Sequence, residues 1–188
     1  SDWSSDVCSS DLYVEGIYVG YKFYETAAAE GLIDYDKTVV YPFGRGLSYT
    51  TFTQSLNSVT EADGTITVDV TVTNTGSASG KEVVEVYYNP PYTNGGIEKS
   101  TANLLDFAKT GELAPGESET IDFTIPVEDL ASYDYKNNGC YVLEAGDYVI
   151  SANDDSHNVA DSQTYTVASD IVYNESNKRG SDAVAATN

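Results

Sequence analysis

The chain has 188 residues, and its nine Lys plus Arg against 30 Asp plus Glu give a formal net charge of −21 at pH 7. An acidic surface of this kind repels polyanions, which argues against nucleic acid and anionic membrane as partners, and no run of about 18 apolar residues marks a membrane span. The length suffices for the core of one ordinary domain with flanking segments, whereas two compact domains would be a tight fit.

Residues 1–12, SDWSSDVCSSDL, are polar and of low complexity. They resemble a translated sequencing-adapter remnant, so we treat them as an artefact outside the fold. Cys8 lies in this segment, which leaves Cys140 as a single thiol and excludes a disulfide framework in the rest of the chain. We expect Cys140 to be a buried structural residue. The N-terminus lacks the charged and apolar regions of a signal peptide, and the localisation of the parent protein stays undecided.

Residues 13–40 are predicted to contain three different kinds of local structure. Residues 13–24, YVEGIYVGYKFY, are rich in β-branched and aromatic residues and predict a strand or strand-turn. Residues 26–31, TAAAEG, predict a helical turn that ends at its glycine, and residues 32–40 a linker.

Residues 41–52, YPFGRGLSYTTF, combine a proline, two glycines and four aromatic residues, and we call them the aromatic segment. Pro42 biases the preceding residue toward an extended backbone, whereas Gly44 and Gly46 allow conformations that residues with a Cβ avoid. The pattern therefore predicts an extended start and a tight turn around Arg45. The last residues, from Leu47 on, are of types that favour a strand.

Strands with period-two alternation dominate the chain from residue 65 to residue 167. They are predicted at residues 65–73, 81–88, 121–125, 148–152 and 164–167, with turns at 74–76 and 113–118 between them. Short, regularly spaced strands of this kind predict an all-β fold, an immunoglobulin or fibronectin type III-like β-sandwich. Residues 169–188 are polar and without periodicity, and they predict a polar C-terminal tail or linker.

The aromatic segment resembles a stretch, PFGxGLSYTxF, that begins the fibronectin type III-like domain of family 3 glycoside hydrolases, the β-glucosidases and β-xylosidases. Arg45 fills a position that is often aromatic there. Residues 13–24 are similar to that family's YxEGIxVGYRYY, which ends the preceding α/β sandwich domain. LAPGES at 113–118 and VEDLASYD at 127–134 resemble the family's LxPGES and DLxxYD.

The resemblance implies a domain organisation. It places the end of the α/β sandwich domain and a linker at residues 13–40, the fibronectin type III-like domain at 41–168 and a tail at 169–188. It also implies a non-catalytic structural domain, whose parent hydrolyses terminal β-glucosyl or β-xylosyl residues by a retaining mechanism, and whose partners are the catalytic domains of the same polypeptide. The chain alone is expected to be inactive, with no catalytic, cofactor or metal residues, because the family's catalytic carboxylates precede this segment.

Asp2 stands in a Ser-Asp-Trp sequence like that around the family's nucleophile. We do not assign it that role, because a whole barrel and sandwich would have to fit between it and residue 13.

Five residues are candidate anchors of an interface with the catalytic domains: Tyr41, Phe43, Arg45, Tyr49 and Glu15. Glu15 is included as a structural residue at the domain junction, in preference to a catalytic acid.

Three further side chains, those of Tyr133, His157 and Tyr92, have competing interpretations. Tyr133 is a candidate for the tyrosine corner of such sandwiches. His157, beside Asp154 and Asp155, is interpreted as part of a solvated hairpin loop in preference to a metal ligand. Tyr92, in the Pro- and Gly-rich loop of residues 89–100, is a candidate for stacking on a sugar, against the alternative of a plain solvent loop.

Two other functions remain open from the sequence. The first is a carbohydrate-binding module that uses Tyr92 and other exposed tyrosines, with an oligosaccharide as partner. The second is an immunoglobulin-like spacer domain of a surface protein, which would be accompanied by further copies of similar sandwiches.

Overall fold

The computed structural model describes residues 16–187, so Asp2 and Glu15 lie outside the described residues. Two α-helices, α1 (Tyr21–Ala29) and α2 (Tyr35–Thr38), come first. Ten strands and one 3-10 helix follow within the described part: β1 (Phe52–Ala62), β2 (Thr65–Asn74), β3 (Val83–Asn89), β4 (Asn103–Lys109), β5 (Ser118–Pro126), the 3-10 helix (Val127–Leu130), β6 (Ser132–Asp134), β7 (Cys140–Leu143), β8 (Gly146–Asn153), β9 (Val159–Val167) and β10 (Ile171–Tyr173). Neither α-helix there is long and apolar enough to cross a bilayer.

The strands form two main sheets that face each other. One has the order β1-β2-β5 and the other the order β4-β3-β8-β9, and all their pairings are antiparallel. A small third sheet, β10-β7-β6, lies beside them. This arrangement confirms the predicted all-β sandwich.

The core follows from the period-two pattern of the strands. In β2, Val68, Val70 and Val72 are fully buried, whereas Asp69 and Thr71 between them point outward. Val86 of β3 and Ile150 of β8 meet them from the other sheet and are also fully buried. Each such side chain contributes about 1.5–3 kcal/mol of hydrophobic stabilisation, so the alternation alone fixes which face of each strand is inside.

The tyrosine corner lies at a different residue from the predicted one. The Tyr133 hydroxyl donates to the Gly139 carbonyl, 3.0 Å away and six residues downstream, and so closes the β6–β7 turn. By contrast, Tyr148, near the start of β8 and 1% exposed, donates to the carbonyl of Glu144 four residues upstream at 3.0 Å. This upstream bond is the geometry of a tyrosine corner, so the prediction for Tyr133 is wrong and Tyr148 takes that place.

The predicted strand at residues 13–24 is wrong over its described part, because residues 16–20 form no strand and α1 begins at Tyr21. Residues 13–15 lie outside the described part. Thr26 is the only β-branched residue of α1, and Gly20 precedes the helix with a φ of 56° that a side chain would disfavour. The predicted glycine stop is confirmed. Gly31 has a φ of 70°, and the amide of Leu32 bonds back to the Ala27 carbonyl at 2.8 Å, as in a Schellman motif.

Three expectations on the remaining segments need correction. The strand predicted from Leu47 starts at Phe52, and the predicted linker contains α2. The predicted tail is wrong at Ile171–Tyr173, since β10 pairs with β7 and Tyr173 is buried. A three-residue strand is too short for its periodicity to be visible in the sequence. Cys140 is buried and free, as predicted, and burial raises the pKa of its thiol.

Candidate domain interface

Exposed apolar side chains are concentrated in one short part of the chain. Of sixteen large apolar side chains that are exposed in residues 16–187, ten lie between residues 17 and 49: Ile17, Val19, Phe23, Tyr24, Leu32, Val40, Tyr41, Phe43, Leu47 and Tyr49. We call these ten residues the junction surface. Exposed apolar side chains that lie together on a protein surface usually mark an interaction site.

The junction surface contains an apolar groove of about 270 Å³, lined in part by Tyr24, Tyr41 and Phe43. Tyr24 comes from α1, whereas the other two belong to the aromatic segment, so the two parts of the chain form one surface. Leu47 is 95% exposed and Tyr49 fully so. Residues this exposed make no contribution to the core, and their side chains are free to contact another surface.

A row of three aromatic rings holds this surface onto the sandwich. Phe43 stacks on Tyr21 with ring centroids 4.7 Å apart, and Tyr21 makes an edge contact with Tyr87 of β3 at 6.0 Å. The backbone amide of Ser156 donates to the Phe43 carbonyl at 2.8 Å. These contacts explain why β3 is buried on both faces, which its sequence alone does not predict.

Gly44 lets the aromatic segment pass directly over a buried carboxylate. Its φ is 86°, and a Cβ built there would lie 2.5 Å from the carboxyl carbon of Glu85. Glu85 is only 6% exposed and accepts a hydrogen bond from the Tyr87 hydroxyl at 2.7 Å. Both the backbone conformation and the close approach therefore require glycine at this position.

Glu25 of α1 forms a second attachment, which we call the Glu25 clasp. Its carboxylate is buried and accepts hydrogen bonds from the Tyr35 hydroxyl at 2.6 Å and the Ser156 hydroxyl at 2.8 Å. One carboxylate oxygen also lies 2.8 Å from Nδ1 of His157, on whose ring Tyr35 stacks at 3.6 Å. Burial, together with the hydrogen bond to Glu25, raises the pKa of the Tyr35 hydroxyl.

The Glu25 clasp corrects the interpretation of the loop around His157. Asp155 and Ser156 are each 4% exposed, and the Ser156 hydroxyl donates to Glu25 of α1. The predicted solvated hairpin loop is therefore a contact between the N-terminal segment and the sandwich. Asp155 caps its own turn, accepting from the backbone amides of His157 at 2.9 Å and Asn158 at 2.8 Å. In the part of the chain that is described, no three His, Cys, Asp or Glu side chains are grouped as metal ligands.

The four predicted anchors inside the described residues lie on or beside this surface. Tyr41, Phe43 and Tyr49 belong to it, and the Arg45 guanidinium lies over the Tyr41 ring, 5.4 Å from its centroid. Phe43 is the one that also packs on the sandwich, through Tyr21. Their role as anchors of an interface stays a prediction.

Sequence reasoning missed one exposed aromatic residue of the neighbouring edge strand. Phe107 of β4 is 64% exposed and lies directly opposite Glu85 in the β3–β4 ladder. Opposed residues share a face of the sheet, so Phe107 projects on the side that carries Gly44 and the aromatic segment. The aromatic residue itself, in a short edge strand, was the only feature of the sequence that could have indicated this exposed position.

The aromatic segment also borders a polar cleft of about 470 Å³, lined in part by Arg45, Glu82, Asp154 and Asp155. Burial raises the pKa of the Glu82 carboxyl to about 7, with a further increase from Asp154 and an opposing effect of Lys109. The pKa of Asp154 is raised for the same reasons, burial first and then the neighbouring Asp155. Glu82 and Asp154 thus favour a lower charge than isolated carboxyls would carry.

The loop of residues 89–100, for which a plain solvent loop was one interpretation, is exposed in one part and buried in another. Tyr92 is 46% exposed, but Ile97, Lys99 and Ser100 are buried. The Lys99 ammonium donates to the Pro91 carbonyl at 2.6 Å and pairs with the Glu144 carboxylate. The C-terminal half of the loop is therefore fixed on the sandwich, and Tyr92 is exposed on the other half.

Comparison with known proteins identifies the sandwich. A family model described as "Fibronectin type III-like domain" matches residues 82–156. A solved structure of a family 3 glycoside hydrolase β-glucosidase from Bifidobacterium adolescentis superposes with a TM-score of 0.68 at 34% identity, over 81% of this chain. The chain belongs to the fibronectin type III-like domains of family 3 glycoside hydrolases. The predicted family is thereby confirmed, and an unrelated spacer domain of a surface protein is disfavoured.

Two further relatives show how much of a longer protein this domain represents. A β-glucosidase of Ruminococcus albus is 37% identical over 163 residues, which are 85% of this chain and 16% of that protein. β-Glucosidase 3B of Thermotoga neapolitana, solved with α-D-glucose, is 39% identical with a TM-score of 0.74, and the match covers 86% of this chain and 21% of that one. The fibronectin type III-like domain and its N-terminal segment thus span about a fifth or less of these relatives.

Proposed function

We propose that this chain is a structural domain that docks through its junction surface onto the catalytic domains of the same polypeptide. The observation that carries the proposal is the concentration of exposed apolar side chains on a segment that is itself firmly attached to the sandwich. The relatives supply the partner, because most of their length lies outside the region that this chain matches. An unattached segment would lose conformational entropy on docking, whereas this one is already ordered.

The side chains of the junction surface provide the energy for such docking. Burying a fully exposed Leu, such as Leu47, contributes about 1.5–3 kcal/mol, and large aromatic residues such as Tyr49 are frequent hot spots of interfaces. Arg45 can add a polar contact at the rim.

The parent activity that we propose is hydrolysis of terminal β-glucosyl or β-xylosyl residues by a retaining mechanism, supported by the β-glucosidase relatives. A retaining glycosidase needs two carboxyl groups about 5–5.5 Å apart across the bond that is cleaved. In the family these belong to domains outside the matched region, so the purified chain should not hydrolyse an aryl β-glucoside or β-xyloside. Release of the aryl group above the buffer rate, in proportion to the chain, would contradict this.

Docking is tested in trans with β-glucosidase 3B of Thermotoga neapolitana, truncated before the segment that matches this chain. The purified chain should bind the truncated enzyme in a calorimetric titration. The double variant Leu47→Ser, Tyr49→Ser should bind at least about tenfold more weakly, a loss of about 1.4 kcal/mol. Tyr135→Ser is the matched control, because Tyr135 is 60% exposed but lies in the β6–β7 turn. Equal weakening by the control and the double variant would refute the assigned surface.

A second candidate function is saccharide binding, for which we propose an oligosaccharide partner. It is supported by the exposure of Tyr92 on a loop that Lys99 holds in place. A pull-down on insoluble cellulose and xylan tests binding to polymers. A chain that stays entirely in the supernatant would rule out a module for polymer surfaces.

A further inference from the structure

The loop that carries Tyr92 and helix α1 together enclose a cleft of about 460 Å³, which we call the Tyr92 cleft. Its lining includes Tyr18, Glu30, Asn89, Tyr92 and Asn94. Its volume lies in the usual range for small-molecule sites, about 300–1,000 Å³. The cleft is distinct from the apolar groove and from the polar cleft beside Arg45, since they share no lining residue.

The walls of the Tyr92 cleft are held in place by buried contacts. On the helix side, the hydroxyl of Thr26 accepts a hydrogen bond from the backbone amide of Thr101 at 3.1 Å. The Tyr18 hydroxyl donates to the Glu98 carboxylate at 3.1 Å, and burial, followed by Glu98, raises the pKa of Tyr18 to about 12. On the loop side, the Lys99 ammonium pairs with the Glu144 carboxylate and donates to the Pro91 carbonyl. The site is therefore largely preformed.

The side chains that line the cleft have unused binding capacity. The amides of Asn89 and Asn94 and the carboxylate of Glu30 make no hydrogen bond to any residue between 16 and 187, and all three residues are exposed. Tyr92 has no aromatic partner among those residues either, and nearly half of its surface is exposed. An uncommitted aromatic ring beside amide and carboxylate groups matches the two surfaces of a sugar, its apolar C–H face and its hydroxyls.

Charge selects among saccharides. Glu30 contributes a carboxylate to the cleft, and the whole chain has a net charge of −21. The one ammonium in the lining, that of Lys99, is already paired. A uronic acid or a phosphorylated sugar would therefore be repelled, whereas a neutral saccharide would not.

We infer that the Tyr92 cleft is a binding site for a short neutral saccharide, which stacks on Tyr92 and bonds to Asn89, Asn94 and Glu30. The inference rests on the second candidate function and sharpens it: the ligand is a soluble mono- or disaccharide in a cleft, not the flat surface of a polymer. It does not depend on docking to catalytic domains, because the cleft and the groove of the junction surface are separate.

The test is a titration of the full ¹⁵N-labelled chain with cellobiose, followed by amide chemical shifts. We expect saturable shifts confined to residues 89–101 and the end of α1, and no such shifts with a disaccharide that contains a glucuronate. Tyr92→Ala should weaken binding by about tenfold or more, whereas Tyr92→Phe, which keeps the ring, should bind like the parent chain. Tyr135→Ala is the control, since it removes an equally exposed tyrosine elsewhere.

Two results would overturn the inference. One is the absence of saturable shifts in the cleft with cellobiose at a concentration of tens of millimolar. The other is unchanged binding by Tyr92→Ala with a native amide spectrum. If Tyr92→Ala perturbs the spectrum, Asn94→Ala serves in its place, because Asn94 is exposed on the loop and lines the cleft. Asn94→Ala should also weaken binding, and unchanged binding by that variant counts against the site. Loss of saccharide binding with intact docking in trans would refute this site alone.

Discussion

Replacing Gly44 by alanine should detach the aromatic segment from the sandwich. The new Cβ would meet the carboxyl group of Glu85, and the φ of 86° is one that alanine disfavours. Gly46→Ala is the matched control, because its φ is not positive and its Cβ would have open space around it. The two substitutions add the same atom two residues apart in one segment.

The size of the effect follows from two terms. A left-handed backbone costs a residue with a Cβ about 1–2 kcal/mol, and displacing the Glu85 carboxylate costs its hydrogen bond from Tyr87, about 1.5–3 kcal/mol. Gly44→Ala should therefore lower the free energy of unfolding by about 2–5 kcal/mol. With an m-value of about 2 kcal/mol per molar urea, the midpoint of unfolding moves down by about 1–2.5 M.

The assay is urea unfolding followed by far-UV circular dichroism, with trypsin cleavage after Arg45 as a local probe. If the segment is released before the sandwich unfolds, the urea midpoint falls less, but cleavage at Arg45 becomes much faster. Gly46→Ala should change neither quantity. A Gly44→Ala chain with the midpoint and the cleavage rate of the parent would refute the close contact between Gly44 and Glu85.

Three further predictions concern the corner, the polar cleft and the clasp. Tyr148→Phe should lower the free energy of unfolding by about 1–2 kcal/mol, because it removes the hydrogen bond of a buried tyrosine to the Glu144 carbonyl. Tyr133→Phe should cost less, since Tyr133 is half-buried, and equal losses in urea unfolding would contradict the assignment of the corner. The raised pKa of Glu82 means that, between about pH 7 and pH 4.5, the folded chain holds a proton on this carboxyl that the unfolded chain has released. This group therefore makes unfolding less favourable as the pH falls through 7. Glu82→Gln should therefore be more stable than the parent at pH 8, with the difference shrinking toward pH 5, and a difference independent of pH would show that Glu82 is not perturbed. Glu25→Gln should speed amide hydrogen exchange in α1, because an amide replaces a carboxylate that accepts two hydrogen bonds from hydroxyl groups. Asp36→Asn, which changes an exposed acid, is the control. Equal exchange rates of α1 in both variants would rule out the Glu25 clasp.

The sandwich could be predicted from the sequence because strand periodicity is a local property. Val68, Val70 and Val72 alternate with the polar residues Asp69 and Thr71, and this pattern fixes the inner face of β2 whatever the other sheet contributes. The same reasoning fails for β10, which has three residues and is defined by its partner strand β7. It also fails for α1, whose aromatic residues suit either a strand or a helix.

The attachment of the N-terminal segment could not be predicted, because it depends on contacts between distant residues. Glu25 and Ser156 are 131 residues apart in the chain, and neither has a local pattern that indicates the other. Tyr148 is a different case. Its position after Gly146, at the start of a predicted strand, was a usable signal for a tyrosine corner, but the family-like sequence around Tyr133 was preferred.

The proposed docking function is tested most directly by a chimera. The part of β-glucosidase 3B of Thermotoga neapolitana that matches this chain would be replaced by the corresponding residues of the chain, and hydrolysis of an aryl β-glucoside would be measured. The chimera should be a stable, active enzyme, and its Leu47→Ser, Tyr49→Ser variant should lose thermal stability and activity together, whereas Tyr135→Ser should not. A chimera in which the double variant is as stable and as active as the unsubstituted form would contradict docking through the junction surface.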